Sequence, residues 1–241
     1  LLYSLAEDCP AGHLEPLHRH DRAQLLYALS GVMSVSTETS SFVVPPQRAL
    51  WLPVDTAHEV SYQSDVALRT LYIGAAATAH LPATTQVMEV NELLRALLIE
   101  TMSFPEQYDE HGREATIVTL ILHEIRQAQV IPLHAPIPQH PRLQRLCRAI
   151  MQNPTEDLQL DDYAQIACLG RRTLTRLFRR ETGMSLFDWR QEVRLLAAIS
   201  YLQTGQPITN VAYDVGYSSP SAFTVAFRKK FGAPPSRYIL D

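Results

Sequence analysis

Hydrophobic positions change their spacing along the chain, and the change separates a β-like part from a helical part. Between residues 14 and about 73 the apolar residues fall in short runs rich in β-formers, punctuated by Gly31, Pro45-Pro46 and Pro53. Evenly spaced short runs of this kind are typical of a β-barrel or β-sandwich. The predicted strands cover residues 24–29, 32–36, 41–44, 49–52, 58–62 and 68–73.

Two helices are predicted after these strands, over residues 88–102 and 110–128. Their apolar residues repeat at the spacing of one helical face, and the connection between them is short enough for an antiparallel pair. The first stripe contains Leu93, Leu94, Leu97, Leu98 and Thr101, and the second contains Ile117, Val118, Ile121, Leu122 and Ile125. The segment 131–141 that follows is rich in proline and has few apolar anchors, which predicts a semi-rigid linker.

Residues 161–183 have the pattern of a helix-turn-helix. Apolar seams at Ala164, Ile166 and Ala167 and at Leu174, Leu177 and Phe178 are interrupted at residues 168–170. The second helix carries polar residues with long side chains on the face opposite its seam, and such a face suits a DNA major groove, where Arg reads guanine edges and contacts phosphates. Its candidate DNA-binding residues are Arg172, Thr175, Arg176 and Arg179. The alternative is an ordinary helical hairpin with a solvated outer face.

A second copy of the arrangement, at residues 208–232, favours DNA binding over that alternative. Its second helix is predicted to begin with Ser219 as N-cap and Pro220 as first residue. Pro220 lies 49 residues after Arg171, the start of the corresponding helix. A helix near 186–202, with Phe187 and Trp189 in its apolar seam, would join the two copies. The outward residues of the second copy are Ser221, Thr224, Val225, Arg228 and Lys229.

The residues from 160 to 238 resemble the double helix-turn-helix domain of AraC/XylS-type transcription regulators. Two departures are visible: Cys168 replaces the usual Gly of the first turn, and Gly170 replaces the usual Ser or Thr cap. The resemblance implies double-stranded DNA and a small-molecule effector as partners, RNA polymerase as a further candidate partner, and a cytoplasmic location. It also implies a homodimer held by the helical pair at 88–130, because two apolar stripes exceed what closing one small barrel would bury. The alternative is that the pair only closes the barrel.

Charge is distributed unevenly along the chain. Residues 139–241 contain 14 Lys and Arg against 9 Asp and Glu, whereas residues 1–138 contain 7 against 16. The positive half therefore coincides with the helix-turn-helix copies, although its modest excess disfavours a non-specific nucleic-acid binder. The three cysteines are odd in number and form no CxxC pair, which indicates a reducing compartment. No apolar run reaches the roughly 18 residues of a membrane span.

Three histidines in the β-rich part form a candidate effector or metal site. His18 and His20 are two residues apart, so on one strand both would point to the same side, and His58 follows a few strands later. Gly12, His18, His20, Gln24 and Gly31 resemble the first cupin motif at every spacing. The second motif is retained at Pro53 and His58 but has Gln47 and Asp55 where Gly is usual, and Tyr62 where Asn is usual.

In metal-binding cupins the equivalent of this set, with Glu in place of Gln24, holds a divalent ion. Three imidazoles are a sufficient set for zinc, nickel, iron or manganese, with positions left open. An amide is a weaker ligand than a carboxylate and does not neutralise the ion. The alternative is that His18, His20, Gln24 and His58 line an effector pocket without a metal.

These patterns together predict an α+β chain of two domains and a function in transcription. Residues 1–130 are predicted as a cupin-like sensing and dimerisation domain, with a barrel over about 1–82 and the helical pair over about 88–130. Residues 142–241, after the linker at 131–141, are predicted as the all-α DNA-binding domain. The protein is thus interpreted as a sequence-specific, effector-responsive regulator. The alternative is a metal-dependent cupin enzyme, a dioxygenase or isomerase, with a DNA-binding domain appended.

Overall fold

The computed structural model describes residues 2–105, 107–109, 111–156 and 158–239. The chain divides into two compact units. The first contains Leu1–Thr37 and Val43–Pro132, and the second contains Glu38–Phe42 and Leu133–Asp241. The main break lies close to residue 130, and residues 38–42 of the β-rich part group with the second unit.

The first unit consists mainly of β-strands in two antiparallel sheets. One sheet has the strand order β1-β8-β3-β6-β9-β10, and the other contains the order β5-β4-β7-β2. Each strand predicted from the sequence is present, whereas β1, β2, β9 and β10 were not among the predicted strands. The strands are Leu2–Cys9 (β1), Leu14–His18 (β2), Arg22–Ser30 (β3), Met33–Thr37 (β4), Ser40–Val44 (β5), Arg48–Leu52 (β6), His58–Tyr62 (β7), Val66–Gly74 (β8), Gln86–Glu89 (β9) and Val130–Ile131 (β10).

The predicted helical pair is present as Glu92–Glu100 (α1) and Arg113–Gln127 (α2). The predicted start at Met88 is wrong, because Met88 lies in β9 and pairs with Ala49 of β6. A short apolar run has the same appearance in a strand and in a helix. Helix α1 begins after Asn91, whose side-chain oxygen accepts a hydrogen bond from the Leu94 N–H. Residue Glu110, the predicted start of the second helix, lies outside the described residues.

Helices α1 and α2 share a hydrophobic core with the sheet that contains β3 and β6. Alternate residues of β3 (Ala23, Leu25 and Tyr27) belong to this core, as period-2 alternation requires. Much of each apolar stripe is therefore buried within one protomer, although Leu93 of the first stripe is 47% exposed. The helical residues in this core are Leu94, Leu98, Val118, Ile121 and Ile125.

The proline-rich segment 131–141, predicted as a semi-rigid linker, takes part in two strand pairings. Ile131 pairs with Val87 in β10, within the first unit. In the second unit, His134–Pro136 (β11) pairs with the first three residues of β5. Ile131, Leu133 and Ala135 are buried at alternate positions, which is the period of a strand. Prolines are tolerated here because they fall at the ends of the pairings, where no ladder N–H is needed.

The second unit carries the two predicted helix-turn-helix copies. Consecutive helices pack against each other, and α6 lies between the copies, in contact with both α5 and α7. Trp189 of α6 is fully buried as predicted, with its indole N–H donating to the Pro136 carbonyl at 2.6 Å. Phe187, expected in the same seam, is instead 65% exposed. The helices are Pro141–Gln152 (α3), Leu160–Ala167 (α4), Arg171–Thr182 (α5), Leu186–Gln203 (α6), Ile208–Asp214 (α7) and Pro220–Phe231 (α8).

None of the helices in the described part of the chain has both the length and the apolar character needed to cross a bilayer.

Candidate nucleic-acid interface and histidine cluster

The first helix-turn-helix turns at a residue in the left-handed conformation. Cys168 has φ 51° and ψ 46° and ends α4. Glycine is favoured at such a position, because it has no Cβ to clash with the neighbouring backbone. Gly170 then precedes α5 as an N-cap that offers no side-chain hydrogen bond. Both departures from the AraC pattern noted in the sequence therefore lie at the turn.

Helix α5 is held by an apolar seam on one side and exposes cationic side chains on the other. Leu174 and Phe178 are fully buried, while Leu177 is half-buried. Arg171 is engaged within the motif, because its guanidinium binds both carboxylate oxygens of Asp161 on α4. The remaining predicted residues of the face (Arg172, Thr175, Arg176 and Arg179) are all exposed. Of these, Thr175 donates its hydroxyl hydrogen back to the helix backbone.

Helix α8 has a stronger start and a more aromatic seam than α5. Ser219 Oγ accepts a hydrogen bond from the Ala222 N–H, and Pro220 is the first helical residue, as predicted. The seam is formed by Phe223, Phe227 and Phe231, which stack edge to face along the helix. On the outward side Thr224 is half-buried, and the other predicted residues are exposed: Ser221, Val225, Arg228 and Lys229.

Two buried arginines of α6, which the sequence pattern did not identify, join this helix to other segments of the second unit. Arg194 is 6% exposed and donates to the carbonyl oxygens of Pro154 at 2.9 Å and Gly216 at 3.2 Å. Gly216 lies in the turn between α7 and α8 with φ +79°, and a Cβ there would lie 2.8 Å from the Arg194 guanidinium carbon. Arg190 is 7% exposed and donates to the Glu156 carbonyl. Both residues therefore join α6 to the chain before α4, and Arg194 also joins it to the second turn.

A half-buried ion pair holds α8 against α6. Lys230 Nζ lies 2.5 Å from Glu192 Oε1, and each side chain is 19% exposed. Lys230 therefore has a structural partner, unlike its exposed neighbours Arg228 and Lys229 in the last turn of α8. A charged residue on a helix is usually solvated, so the sequence alone gave no signal for this pair.

The three histidines of the first unit converge, as predicted. The ring centroids of His18 and His58 are 4.3 Å apart, those of His18 and His20 are 4.9 Å apart, and those of His20 and His58 are 5.7 Å apart. One nitrogen from each ring lies within 4.8 Å of the others. The predicted reason is wrong in part, because β2 ends at His18 and His20 follows it outside the strand. Convergence results instead from the pairing of His18 with His58 across β2 and β7.

Hydrogen bonds to the backbone set the tautomer of two of the rings. The Nδ1 of His18 lies 2.7 Å from the Pro16 carbonyl oxygen, and the Nδ1 of His58 lies 2.9 Å from that of Thr56. Since a carbonyl oxygen only accepts, each Nδ1 carries the hydrogen and each Nε2 keeps a free lone pair. Burial lowers the pKa of His58 and of His20, and the neighbouring His18 lowers both further. Both rings are therefore held neutral at pH 7.

Gln24 joins this cluster through Tyr72. Its amide nitrogen donates to the Tyr72 hydroxyl at 3.2 Å, and the Tyr72 ring meets the His20 ring edge to face at 5.1 Å. Gln24 and Tyr72 belong to one sheet, whereas His18 and His58 belong to the other. The cluster therefore lies where side chains from the two sheets meet. Gln24 Oε1, His20 Nε2 and His58 Nε2 are buried and have no hydrogen-bond partner among the described residues.

Two family models match the chain. An AraC-like ligand binding domain matches residues 3–165, and a helix-turn-helix domain matches residues 163–240. The HTH-type transcriptional regulator NimR of Escherichia coli (strain K12) is 30% identical over 224 residues, which are 93% of this chain and 82% of that protein. The arabinose operon regulatory protein of the same organism is 30% identical over 134 residues, which are 53% of this chain and 45% of that protein.

One solved structure aligns with most of this chain. ToxT from Vibrio cholerae covers 98% of this chain and 97% of its own at 12% identity, with a TM-score of 0.42. The sequence relatives are named as transcriptional regulators, and the alternative of a cupin enzyme has no support among them. With a ligand-binding domain before a double helix-turn-helix domain, this chain belongs to the AraC family of DNA-binding transcription regulators.

Proposed function

We propose that this regulator reads an operator through α5 and α8 together, and that a small-molecule effector bound in its first unit changes the strength of that binding. The observation that carries the proposal is the repeated arrangement of α5 and α8. In both helices an apolar seam is buried and the opposite face presents exposed polar and cationic residues. Helix-turn-helix proteins insert a helix of this kind into the major groove, with its apolar side packed on the protein and its polar side facing the DNA.

The first half of α5 supplies the base contacts in this proposal. Arg172 and Arg176 are four residues apart, so their side chains lie on one face of the helix, with Thr175 beside them. The N-terminal residues of a recognition helix approach the base edges most closely. Arginine donates two hydrogen bonds to guanine O6 and N7, and the threonine methyl fits against thymine. These three residues therefore determine the sequence preference of the first half of the operator.

The last turns of both helices supply the phosphate contacts. Arg179, Arg228 and Lys229 follow the base-reading positions and are exposed. Such contacts neutralise the backbone and hold the register without reading sequence. On α8 the base-facing surface is formed by three residues with short side chains, Ser221, Thr224 and Val225. Because they offer fewer contacts to base edges than the arginines of α5, the second half of the operator is less restricted in sequence than the first.

The first unit is the proposed sensor and the proposed site of self-association. Its effector binds among the side chains where the two sheets meet, at His18, His20, Gln24 and His58, and acts through its different affinities for the DNA-competent and incompetent states. Leu93 is 47% exposed, and Ile99 and Leu120 are each 37% exposed, so α1 and α2 retain apolar surface for a homodimer contact. The proposal includes a cytoplasmic location, where the DNA would be met, and RNA polymerase as a further partner at the promoter.

The test is a DNA-binding titration at fixed salt with Arg176→Ala. Operator affinity should fall by about 1–3 kcal/mol, which is about 5- to 150-fold, while affinity for unrelated DNA changes little. Arg126→Ala, at an exposed position of the first unit, removes the same charge and serves as the matched control. An Arg176→Ala protein that bound its operator like the Arg126→Ala control would refute the assigned reading face.

A further inference from the structure

We propose that His18, His20 and His58 are the ligands of a divalent transition-metal ion of the zinc class, bound between the two sheets of the first unit. The proposal rests on the geometry and the hydrogen bonds of the three rings, and it deepens the proposed function by assigning the polar anchor of the effector site. One nitrogen of each ring lies within 4.8 Å of the others, so a small inward movement of the rings, to Zn–N bonds of about 2.0–2.1 Å, lets all three share a single ion.

The ring orientations are set in advance for metal binding. His18 and His58 each donate from Nδ1 to a backbone carbonyl, at 2.7 Å and 2.9 Å. A ligating histidine normally has such an outer partner, which fixes the ring and leaves the other nitrogen free to bind the ion. Here the carbonyls belong to Pro16 and Thr56, two residues before each histidine. These two backbone hydrogen bonds therefore leave the Nε2 lone pairs of His18 and His58 free to bind an ion.

The free nitrogens also need a partner. His20 Nε2 and His58 Nε2 are buried and have no hydrogen-bond partner among the described residues. A buried acceptor left in this state is destabilising, because it has lost its contact with water and gained no donor. The Nδ1 bonds leave Nε2 of His18 and of His58 unprotonated, and a water molecule that donates its two hydrogens to them has none left for the third ring. One cation accepts all three lone pairs at once, and it therefore satisfies the cluster more completely than a water does.

The donor set restricts the class of metal. Imidazole suits Zn²⁺, Ni²⁺, Cu²⁺ and Fe²⁺, whereas Mg²⁺ and Ca²⁺ require oxygen ligands. The Gln24 amide nitrogen donates to the Tyr72 hydroxyl, so Gln24 is not counted among the ligands, and the three ring nitrogens are the protein donors. Three protein nitrogens leave a fourth position of zinc to an exchangeable ligand. Three neutral imidazoles also leave the ion's positive charge in place, so this position favours an effector with an anionic oxygen.

The experiment measures metal binding by the full-length chain directly. Protein freed of metal with a chelator is titrated with Co²⁺, whose visible absorption reports nitrogen coordination, and then competed with Zn²⁺. Elemental analysis after dialysis gives the stoichiometry. The proposal predicts one ion per chain. It also predicts that His20→Ala weakens binding by more than the about 10- to 100-fold typical of losing an outer-shell partner.

His20→Ala is the preferred variant, because His20 lies outside the strands and its loss leaves the pairing of His18 with His58 in place. His123→Ala, at an exposed position of α2, is the matched control and should bind the metal like the parent. No stoichiometric Co²⁺ or Zn²⁺ on the unmodified chain would overturn the metal site, as would equal binding by His20→Ala and the parent.

Operator binding by the same preparations separates the two proposals. Metal-free protein that still binds its operator, together with an unmodified chain that takes up no ion, would overturn the metal site and leave the proposed function standing. A stoichiometric ion on a chain that binds no specific DNA would overturn the proposed function and leave the metal site standing.

Discussion

Replacing Arg194 of α6 with methionine is expected to destabilise the second unit strongly. Arg194 is 6% exposed, and its guanidinium donates to the carbonyl oxygens of Pro154 at 2.9 Å, Gly216 at 3.2 Å and Thr155 at 3.4 Å. A hydrogen bond to a charged group contributes a net 1.5–3 kcal/mol or so, and bonds longer than about 3.2 Å contribute little. The first two bonds together therefore set a scale of about 3–6 kcal/mol.

The expected loss lies at the lower end of that scale, at about 3 kcal/mol, because methionine retains much of the buried apolar contact of the arginine stem. For a unit of this size such a loss corresponds to a fall in Tm of about 10 °C or more. The assay is calorimetric or circular-dichroism melting of the full chain. Operator binding near the new Tm should weaken in parallel, because Gly216 lies in the turn that precedes α8.

Arg148→Met is the matched control for this prediction. Arg148 lies on α3 of the same unit and is exposed, so the same chemical change there should alter stability by no more than about 0.5 kcal/mol. The role of Arg194 in holding the turn would be refuted if the free energy of unfolding of Arg194→Met lay within about 1 kcal/mol of that of both the parent and the control.

Two further substitutions test the turns of the helix-turn-helix copies. Cys168→Gly should stabilise the second unit by up to about 1 kcal/mol, since the residue has φ 51° and only glycine adopts that conformation without steric cost; an unchanged or lower Tm would contradict this. Ser219→Ala should destabilise it by about 1 kcal/mol, because the Ser219 hydroxyl caps the Ala222 N–H; Ser218→Ala at the exposed neighbouring position is the control, and equal melting of the two variants would count against the cap.

The recognition helices could be predicted from the sequence because their signals are local. The seams of α5 and α8 recur within two turns, and Ser219, Pro220 and the glycines after each helix mark the ends of the helices within a few residues. The six strands between residues 24 and 73 were identified for the same reason, since turn-forming residues separate them.

Elements that depend on distant partners could not be predicted in this way. Residues 86–89 become a strand only because β6 and β10 lie on either side. The segment 131–141 pairs with strands that lie roughly 40 to 100 residues earlier in the chain. Its proline content gives no indication of these pairings. From the sequence, Arg190 and Arg194 have the pattern of solvated helix residues. Their burial depends on backbone carbonyls of the chain before α4, which are distant in sequence.

The histidine cluster combines a correct prediction with an incomplete reason. The cupin-like spacing identified His18, His20 and His58, and the structure brings them together. Alternation along one strand does not explain the convergence of His18 and His20, because β2 ends at His18. The backbone carbonyls that orient His18 and His58 lie two residues before each ring, and no spacing rule reveals which nitrogen they would leave free.

The central claim is that one protomer reads DNA with both α5 and α8 on one face of the duplex. Hydroxyl-radical footprinting of an operator fragment tests it most directly, with the unmodified chain and with Arg176→Ala. Each protomer should protect two segments about one helical turn, or roughly 34 Å, apart, unless the DNA bends to meet them. Arg176→Ala should weaken the first segment more than the second. A single protected segment for each protomer would contradict the account.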